Sequence, residues 1–146
     1  YYQQCTYQFT EEMLYVNNCI ALESLTTERA GTNHIARLCA VLNANDKREG
    51  EIIYQNFQKL YQLRNAIVHG GEFRMNDEYF NSLLALTSRS LIQLYTYGIG
   101  DVKALNQFVR ENGFGDMKNY SSTPVKTFVL NQKTLDIIKT PLPKLK

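Results

Sequence analysis

The sequence lacks the features that mark membrane, secreted and metal-binding proteins. No stretch approaches the roughly 18 to 20 consecutive apolar residues of a membrane span, and the N-terminus lacks the basic-then-apolar layout of a signal peptide. Three cysteines, Cys5, Cys19 and Cys39, are an odd number without CxxC or Cys/His ligand spacing. We therefore expect reduced thiols in a cytoplasmic protein that has no membrane partner, no metal site and no cofactor.

Excess charge of one sign is also scarce. The chain has 16 Lys and Arg residues against 14 Asp and Glu residues, a net charge of +2 over 146 residues. Such a weak charge does not predict a phosphate-binding surface, so an anionic partner must be held at a local site. The hydrophobic fraction of 44% supports one globular domain over residues 1–146. Because the chain begins Tyr1-Tyr2 without methionine, we expect it to be part of a longer protein.

Apolar residues recur at helical spacing in most of the chain, which predicts an all-α, up-and-down-type bundle of about five helices. We expect the core in residues 10–113 and an irregular C-terminal tail over 114–146. The predicted helices run from Thr10 as N-cap to about Thr26, from Thr32 to Asn43, from the Asp46/Glu49 capping box to His69, from Asn76 or Asp77 to near Gly98, and from Asp101 to Gly113. In the tail, residues 126–130 favour a short strand, residues 132–139 a helical turn or two, and Pro141 and Pro143 a loose end.

The apolar pattern also predicts the inward faces of two helices. These faces carry Met13, Val16, Cys19, Ile20 and Leu25 in the first helix, and Phe80, Leu83, Leu84, Leu91, Leu94 and Tyr95 in the fourth.

Arg64 lies in the middle of an apolar stripe of the third helix. The stripe is formed by Ile53, Phe57, Leu60, Arg64, Ile67 and Val68. An inward guanidinium needs a partner or a bound anion, because desolvating an unpaired charge costs several kcal/mol or more. Glu23, on the same side of the first helix as Ile20, is the candidate partner. The pair is either a structural ion pair or a device that orients Arg64 in a site, and both roles are compatible.

The segment Leu60-Tyr61-Gln62-Leu63-Arg64-Asn65-Ala66-Ile67-Val68-His69-Gly70, with Ile20-Ala21-Leu22-Glu23-Ser24-Leu25 upstream, resembles an Apea-like HEPN domain. The signature of that superfamily is an Arg, a polar residue and a His after a short spacer, here Arg64, Asn65 and His69. The resemblance implies a metal-independent endoribonuclease that acts as a homodimer, in which two signature helices meet at one cleft. It also implies a defence or toxin-like system, with a regulatory domain or an antitoxin as a further partner.

The chemistry of these side chains suits that expectation. Cleaving RNA through its own 2′-hydroxyl needs a proton acceptor, a cation for the phosphate and a group that aligns the attacking oxygen. His69 ends a helix and can exchange a proton, Arg64 can bind the phosphate, and Asn65 can hydrogen-bond phosphate or ribose. Glu23 and Tyr61 are predicted as supporting residues, since Tyr61 shares the face of Asn65. The expected products are a 2′,3′-cyclic phosphate and a 5′-hydroxyl.

Helix geometry separates two of the three predicted catalytic residues. Arg64 and His69 lie roughly 140° apart around an ideal helix, whereas Asn65 and His69 lie within about 40° of each other. Either the last turn unwinds before Gly70, or a facing copy supplies the complementary residue, and we favour the second.

Structural and non-catalytic interpretations stay open. The structural alternative for His69 is a side chain that bonds the last helix carbonyls, an interpretation that the full set of Arg64, Asn65 and His69 disfavours, and the alternative for Tyr61 is a packing or interface residue. The competing functions are a non-catalytic HEPN module that binds nucleotide or RNA, and a dimerisation bundle.

Overall fold

The computed structural model describes residues 2–26, 31–71, 74–111 and 132–145. These residues form an all-α bundle of six helices without a strand, which confirms the predicted fold class. The helices are α1 (Tyr2–Glu23), α2 (Thr32–Asn43), α3 (Lys47–Val68), α4 (Asp77–Thr96), α5 (Val102–Glu111) and α6 (Gln132–Ile138). The predicted strand over residues 126–130 and the predicted stop at Gly113 lie outside the described residues.

Helix ends that depend on local hydrogen bonds lie where they were predicted. Asp46 caps α3 by accepting the Glu49 N–H at 2.9 Å, and the Glu49 carboxylate accepts the Asn45 N–H at 2.8 Å. Asn76 caps α4 in the same way, and Asp101 accepts the Ala104 N–H at the start of α5. These caps satisfy N–H groups that have no partner within the helix, so they set the starting residues.

The predicted start of the first helix at Thr10 is wrong, because α1 begins at Tyr2. No Gly or Pro interrupts residues 2–23, and threonine is tolerated inside a helix at a cost of only about 0.7 kcal/mol or less. A residue with N-cap chemistry therefore lies in the interior of a helix here.

The predicted inward face of α1 is wrong for Met13 and Ile20 and correct for Cys19. Tyr15, Cys19 and Leu22 are fully buried, whereas Met13 and Ile20 are 51% and 46% exposed. Both faces of this helix are apolar, so the direction of packing depends on its neighbours, α3 and α4. The Tyr15 hydroxyl donates to the Leu60 carbonyl of α3 at 2.7 Å and anchors the chosen face.

In α4 the predicted face is wrong for half of its six residues, since Phe80 and Leu94 pack against the core as expected. Leu83 is buried as expected, but Leu84, Leu91 and Tyr95 are exposed, and Tyr95 is 89% exposed. Fully buried polar side chains take their place, namely Ser82, Arg89, Ser90 and Gln93. Because α4 contacts α1, α2 and α6, neighbours cover most of its circumference, including the polar side.

Arg64 lies at the edge of the core. The buried stripe of α3 includes Ile53, Phe57 and Leu60 as predicted, but it continues through Leu63, while Val68 is 48% exposed. The Arg64 side chain consequently retains 20% exposure at the place where α1 and α3 meet.

The end of the chain is irregular after α6, but it is not loose as predicted. Leu135, Ile138 and Leu142 belong to the core. The Asn56 side chain of α3 bonds the backbone of this segment, and Lys59 donates to the Leu142 carbonyl at 2.5 Å. The segment over residues 138–142 is thereby held against α3.

The cysteine prediction is confirmed for Cys19 and Cys39, which are free and buried. None of the helices in the described ranges combines the length and the apolar character that crossing a bilayer requires. Within the same ranges, no three His, Cys, Asp or Glu side chains gather as potential metal ligands.

Candidate functional site

The C-terminal end of α3 is held in one conformation by backbone hydrogen bonds. His69 is the C-cap, and its N–H donates to the Asn65 carbonyl at 2.9 Å. Gly70 has φ of +69°, and the Gly71 N–H donates to the Ala66 carbonyl at 2.9 Å, which is the 6→1 bond of a Schellman motif. The last turn therefore stays helical, and the alternative in which it unwinds before Gly70 is wrong.

Arg64 is held by three neighbours on α1 and α3. Its Nη2 lies 3.5 Å from Glu23 Oε1, and its Nη1 donates to Asn65 Oδ1 at 3.2 Å. The Tyr61 ring lies beneath the guanidinium, with 5.1 Å between the ring centroid and Cζ, close enough for a cation–π contact. We call these four side chains, Glu23, Tyr61, Arg64 and Asn65, the Arg64 cluster.

Burial is uneven within the Arg64 cluster. The side chains of Arg64 and Glu23 are 20% and 27% exposed, so water screens their attraction only in part. Within the described residues Arg64 Nε is buried without a hydrogen-bond partner, whereas the buried Glu23 Oε1 is the oxygen that faces Arg64 Nη2 at 3.5 Å. The cluster therefore leaves one N–H of the guanidinium without an acceptor.

The electrostatics of the site exclude Tyr61, a member of the cluster, and the nearby Cys19 as bases near neutral pH. Burial, followed by a hydrogen bond and charge repulsion from Glu23, raises the pKa of the Tyr61 hydroxyl. Burial, with a further contribution from Glu23, raises the pKa of the nearby Cys19 thiol to about 12. Both groups stay protonated, so neither accepts a proton in a reaction at this site.

His69 stands apart from the Arg64 cluster. Its side chain is exposed and has no hydrogen bond, ion pair or ring contact with any described residue. A single chain therefore brings together four of the five predicted residues, Glu23, Tyr61, Arg64 and Asn65, while the imidazole points into solvent. This outcome matches the angular separation expected for an intact helix.

Two apolar side chains near the site are exposed, although both lie on helix faces predicted to be buried. Ile20 precedes Glu23 by one turn of α1 and is 46% exposed, and Val68 follows Arg64 by one turn of α3 and is 48% exposed. Each member of the ion pair therefore has an exposed apolar side chain within one helical turn of it.

A small cleft directly follows the Arg64 cluster along α1. Its volume is about 180 Å³, and its walls include Ser24 and Leu25 from the end of α1, Leu94 from α4 and Leu105 from α5. The apolar walls leave room for a small planar or aliphatic group. No sequence signal identifies this cleft, because its walls come from segments far apart in the chain.

Comparison with protein-family models, with curated proteins and with solved structures finds no match to this chain. The resemblance to HEPN domains therefore stays a prediction, and the function has to be argued from the residues themselves.

Proposed function

We propose that the chain is a metal-independent endoribonuclease of HEPN type that works in the cytoplasm as part of a defence or toxin-like system. One observation carries the proposal: Arg64, paired with Glu23 at 3.5 Å and bonded to Asn65, is held just over one turn before the exposed His69. A cation, an amide and an imidazole are the groups that cleavage through the 2′-hydroxyl requires.

Each residue has a defined role in the proposed reaction. The 2′-oxygen attacks phosphorus, the bond from phosphorus to the 5′-oxygen breaks, and the products are a 2′,3′-cyclic phosphate and a 5′-hydroxyl. His69 accepts the proton of the 2′-hydroxyl or supplies the proton that the leaving oxygen takes up. Arg64 stabilises the charge that develops on the phosphate, and Asn65 aligns phosphate or ribose. Glu23 and Tyr61 orient the guanidinium.

A second copy of the chain completes the site in this proposal. Arg64 and His69 diverge by roughly 140° on one helix, so the complementary group has to come from an α3 end that lies opposite. The exposed Ile20 and Val68 beside the Arg64 cluster support a homodimer that covers them. A regulatory domain or an antitoxin as an additional partner rests on the family resemblance alone.

The second candidate is a module that binds RNA or a nucleotide without cutting it. The Glu23 carboxylate favours this alternative, because it neutralises Arg64 and a phosphate would have to compete with it for the guanidinium. A bundle that serves only for dimerisation is the third candidate, and it assigns no ligand to Arg64.

Cleavage of a fluorophore–quencher RNA by the purified chain tests the proposal. We expect turnover that chelation by EDTA leaves unchanged and that falls at least about a hundredfold in His69→Ala and Arg64→Ala. His34→Ala, at the other histidine, and Arg48→Ala, at the opposite end of α3, are matched controls and should keep full activity. An RNA with 2′-deoxyribose at the cut position should stay intact.

Melting curves separate the remaining candidates. If RNA stays uncut but RNA or a mononucleotide raises the Tm of wild type and not of Arg64→Ala, the chain is a binding module. If neither cleavage nor a ligand-dependent Tm is found, the dimerisation bundle is correct and the nuclease proposal is wrong.

A further inference from the structure

The exposed side of α4 carries little charge. Its exposed residues are Asp77, Glu78, Asn81, Leu84, Ser88, Leu91, Ile92 and Tyr95. The only charged ones among them are the two acids of the first turn, where the positive end of the helix dipole favours them. A helix side that faces water normally carries charged residues along its whole length. From residue 81 to residue 96, the exposed side of α4 has none.

The apolar side chains on this side of α4 are large and lie close together. Leu84, Leu91 and Ile92 are 37%, 48% and 40% exposed, and Tyr95 is the most exposed large apolar residue of the described chain. Together they present on the order of 400 Å² of apolar surface, which is within the range of the patches that are often functional in soluble proteins. Singly scattered apolar residues do not form such a patch.

Most of these residues lie on one line along the helix. Asp77, Asn81, Leu84, Ser88, Leu91 and Tyr95 follow one another at alternating spacings of four and three residues. We call these six residues the α4 seam. This spacing keeps side chains facing one partner helix over several turns. All six are exposed, so no helix in the described part of the chain covers the α4 seam.

We propose that the α4 seam binds the α4 seam of a second copy of the chain, with the two helices antiparallel. Two copies remove about 800 Å² of apolar surface from water, and the polar seam residues bring the total to about 1,000–1,200 Å², the lower end of specific interfaces. Because the middle and the C-terminal half of the seam carry no charge, no like charges meet there when the seam pairs with itself. We expect a dissociation constant in the micromolar range.

The sizes of the seam residues select the antiparallel orientation. In that orientation Leu91 of one copy lies beside the small Ser88 of the other, and Tyr95 lies beside Leu84. A parallel pair would bring identical residues together, with a gap between the two serines and crowding between the two tyrosines. It would also place the acidic first turns of both helices side by side, whereas antiparallel pairing separates them and opposes the helix dipoles.

The α4 seam shares no residue with the Arg64 cluster, which lies on α1 and α3. The two faces therefore act independently. If the α3 ends pair as proposed above, loss of the seam interface leaves the α3 dimer, and if they do not pair, it leaves the monomer. In both cases the seam accounts for a further step of association.

Sedimentation equilibrium from about 1 to 200 µM protein tests the seam interface. We expect the wild-type mass to exceed that of Leu91→Glu about twofold at the highest concentration. In Leu91→Glu association should weaken at least about a hundredfold, because the interface would bury an unpaired carboxylate. Gln55→Glu adds the same charge at an exposed position of α3 and should associate like wild type.

Crosslinking tests the orientation. Leu84→Cys and Tyr95→Cys, each combined with Cys5→Ser, are treated with a short bis-maleimide, alone and as a mixture. Cys19 and Cys39 are buried and should not react. Antiparallel pairing predicts crosslinked dimers in the mixture and not in either variant alone. Crosslinks in each variant alone would indicate parallel pairing and overturn the assigned orientation.

Equal masses of wild type and Leu91→Glu over the whole concentration range would overturn the proposal. If Leu91→Glu does not fold, Tyr95→Glu, at the more exposed position, replaces it. Equal masses together with a fall in Tm of at least about 5 °C in Leu91→Glu would show that another part of the same chain covers the seam, which overturns the proposal as well.

Discussion

Asn56 holds the end of the chain against α3 through three hydrogen bonds. Its Nδ2 donates to the carbonyls of Ile138 at 3.0 Å and Thr140 at 2.8 Å, and its Oδ1 accepts the Leu142 N–H at 2.9 Å. The side chain is only 2% exposed. A single amide thus satisfies three backbone groups of a segment that has no helix or sheet partner of its own after residue 138.

Replacing Asn56 by alanine removes all three bonds. The Ile138 and Leu142 groups are bonded in buried surroundings, so leaving them unpaired costs about 1–3 kcal/mol each, whereas the Thr140 carbonyl is partly accessible to water. Alanine is the better helix former by roughly 0.6 kcal/mol, which offsets part of the loss. We expect the free energy of unfolding to fall by about 2–5 kcal/mol, a large share of the roughly 5–15 kcal/mol of a typical domain.

Urea unfolding followed by circular dichroism measures this change, and hydrogen exchange of the Leu142 amide localises it. In Asn56→Ala that amide should lose most of its protection. Asn81→Ala, the same substitution at an exposed position inside α4, is the control and should be neutral or slightly stabilising. A free energy of unfolding for Asn56→Ala within about 0.5 kcal/mol of wild type would refute the assigned role of this amide.

Three further predictions concern the proposed dimer, alkaline stability and the end of α3. If the active site combines Arg64 of one copy with His69 of the other, mixing the inactive Arg64→Ala and His69→Ala proteins restores about a quarter of wild-type cleavage. Half of the dimers then contain one copy of each variant, and each such dimer has one intact site out of two. If cleavage does not recover after subunit exchange, the active site is not shared between two copies. Burial raises the pKa of the Cys39 thiol to about 12. The neutral buried thiol stabilises the fold fully below about pH 8.5, and this contribution is lost as pH rises towards 12. Cys39→Ala should therefore make the alkaline decrease in the free energy of unfolding less steep by about 1.4 kcal/mol per pH unit between pH 9 and 12. Gly70 has φ of +69°, and no heavy atom lies within 4 Å of the position that a Cβ would take. Gly70→Ala should therefore lower the free energy of unfolding by about 1 kcal/mol from backbone strain alone. Gly100→Ala, at a glycine without a positive φ, should not lower the Tm in the same thermal unfolding experiment.

Part of the candidate site was accessible to sequence reasoning. The expected pairing of Glu23 with Arg64 is found at 3.5 Å, and Tyr61 and Asn65 are both in contact with the guanidinium. The separation of His69 follows from the helical repeat alone once the last turn stays helical. What could not be predicted is the cleft next to Glu23, because its walls combine residues from α1, α4 and α5.

The inward faces of α1 and α4 were mispredicted for different physical reasons. In α1 the Met13/Ile20 side and the Tyr15/Cys19 side are both apolar, so hydrophobic periodicity does not distinguish them. In α4 the leucines form an amphipathic pattern, yet the polar side that includes Arg89 is buried because several helices surround it. Whether a helix face is buried depends on the helices that pack against it, and the sequence of one helix does not specify those neighbours.

The sequence by itself determined, to within one helical turn, where α2, α3 and α4 begin and end and where α5 begins. Caps such as Asp46 and Asn76 and the stop at Gly70 act within one or two turns, so their free energies depend on residues close in the chain. Only the tertiary structure decided which faces are buried, that Asn56 binds the distant segment after α6, and that Arg89 lies inside without an ion pair to another described residue. Those outcomes depend on contacts between residues tens of positions apart, whose free energies no local pattern encodes.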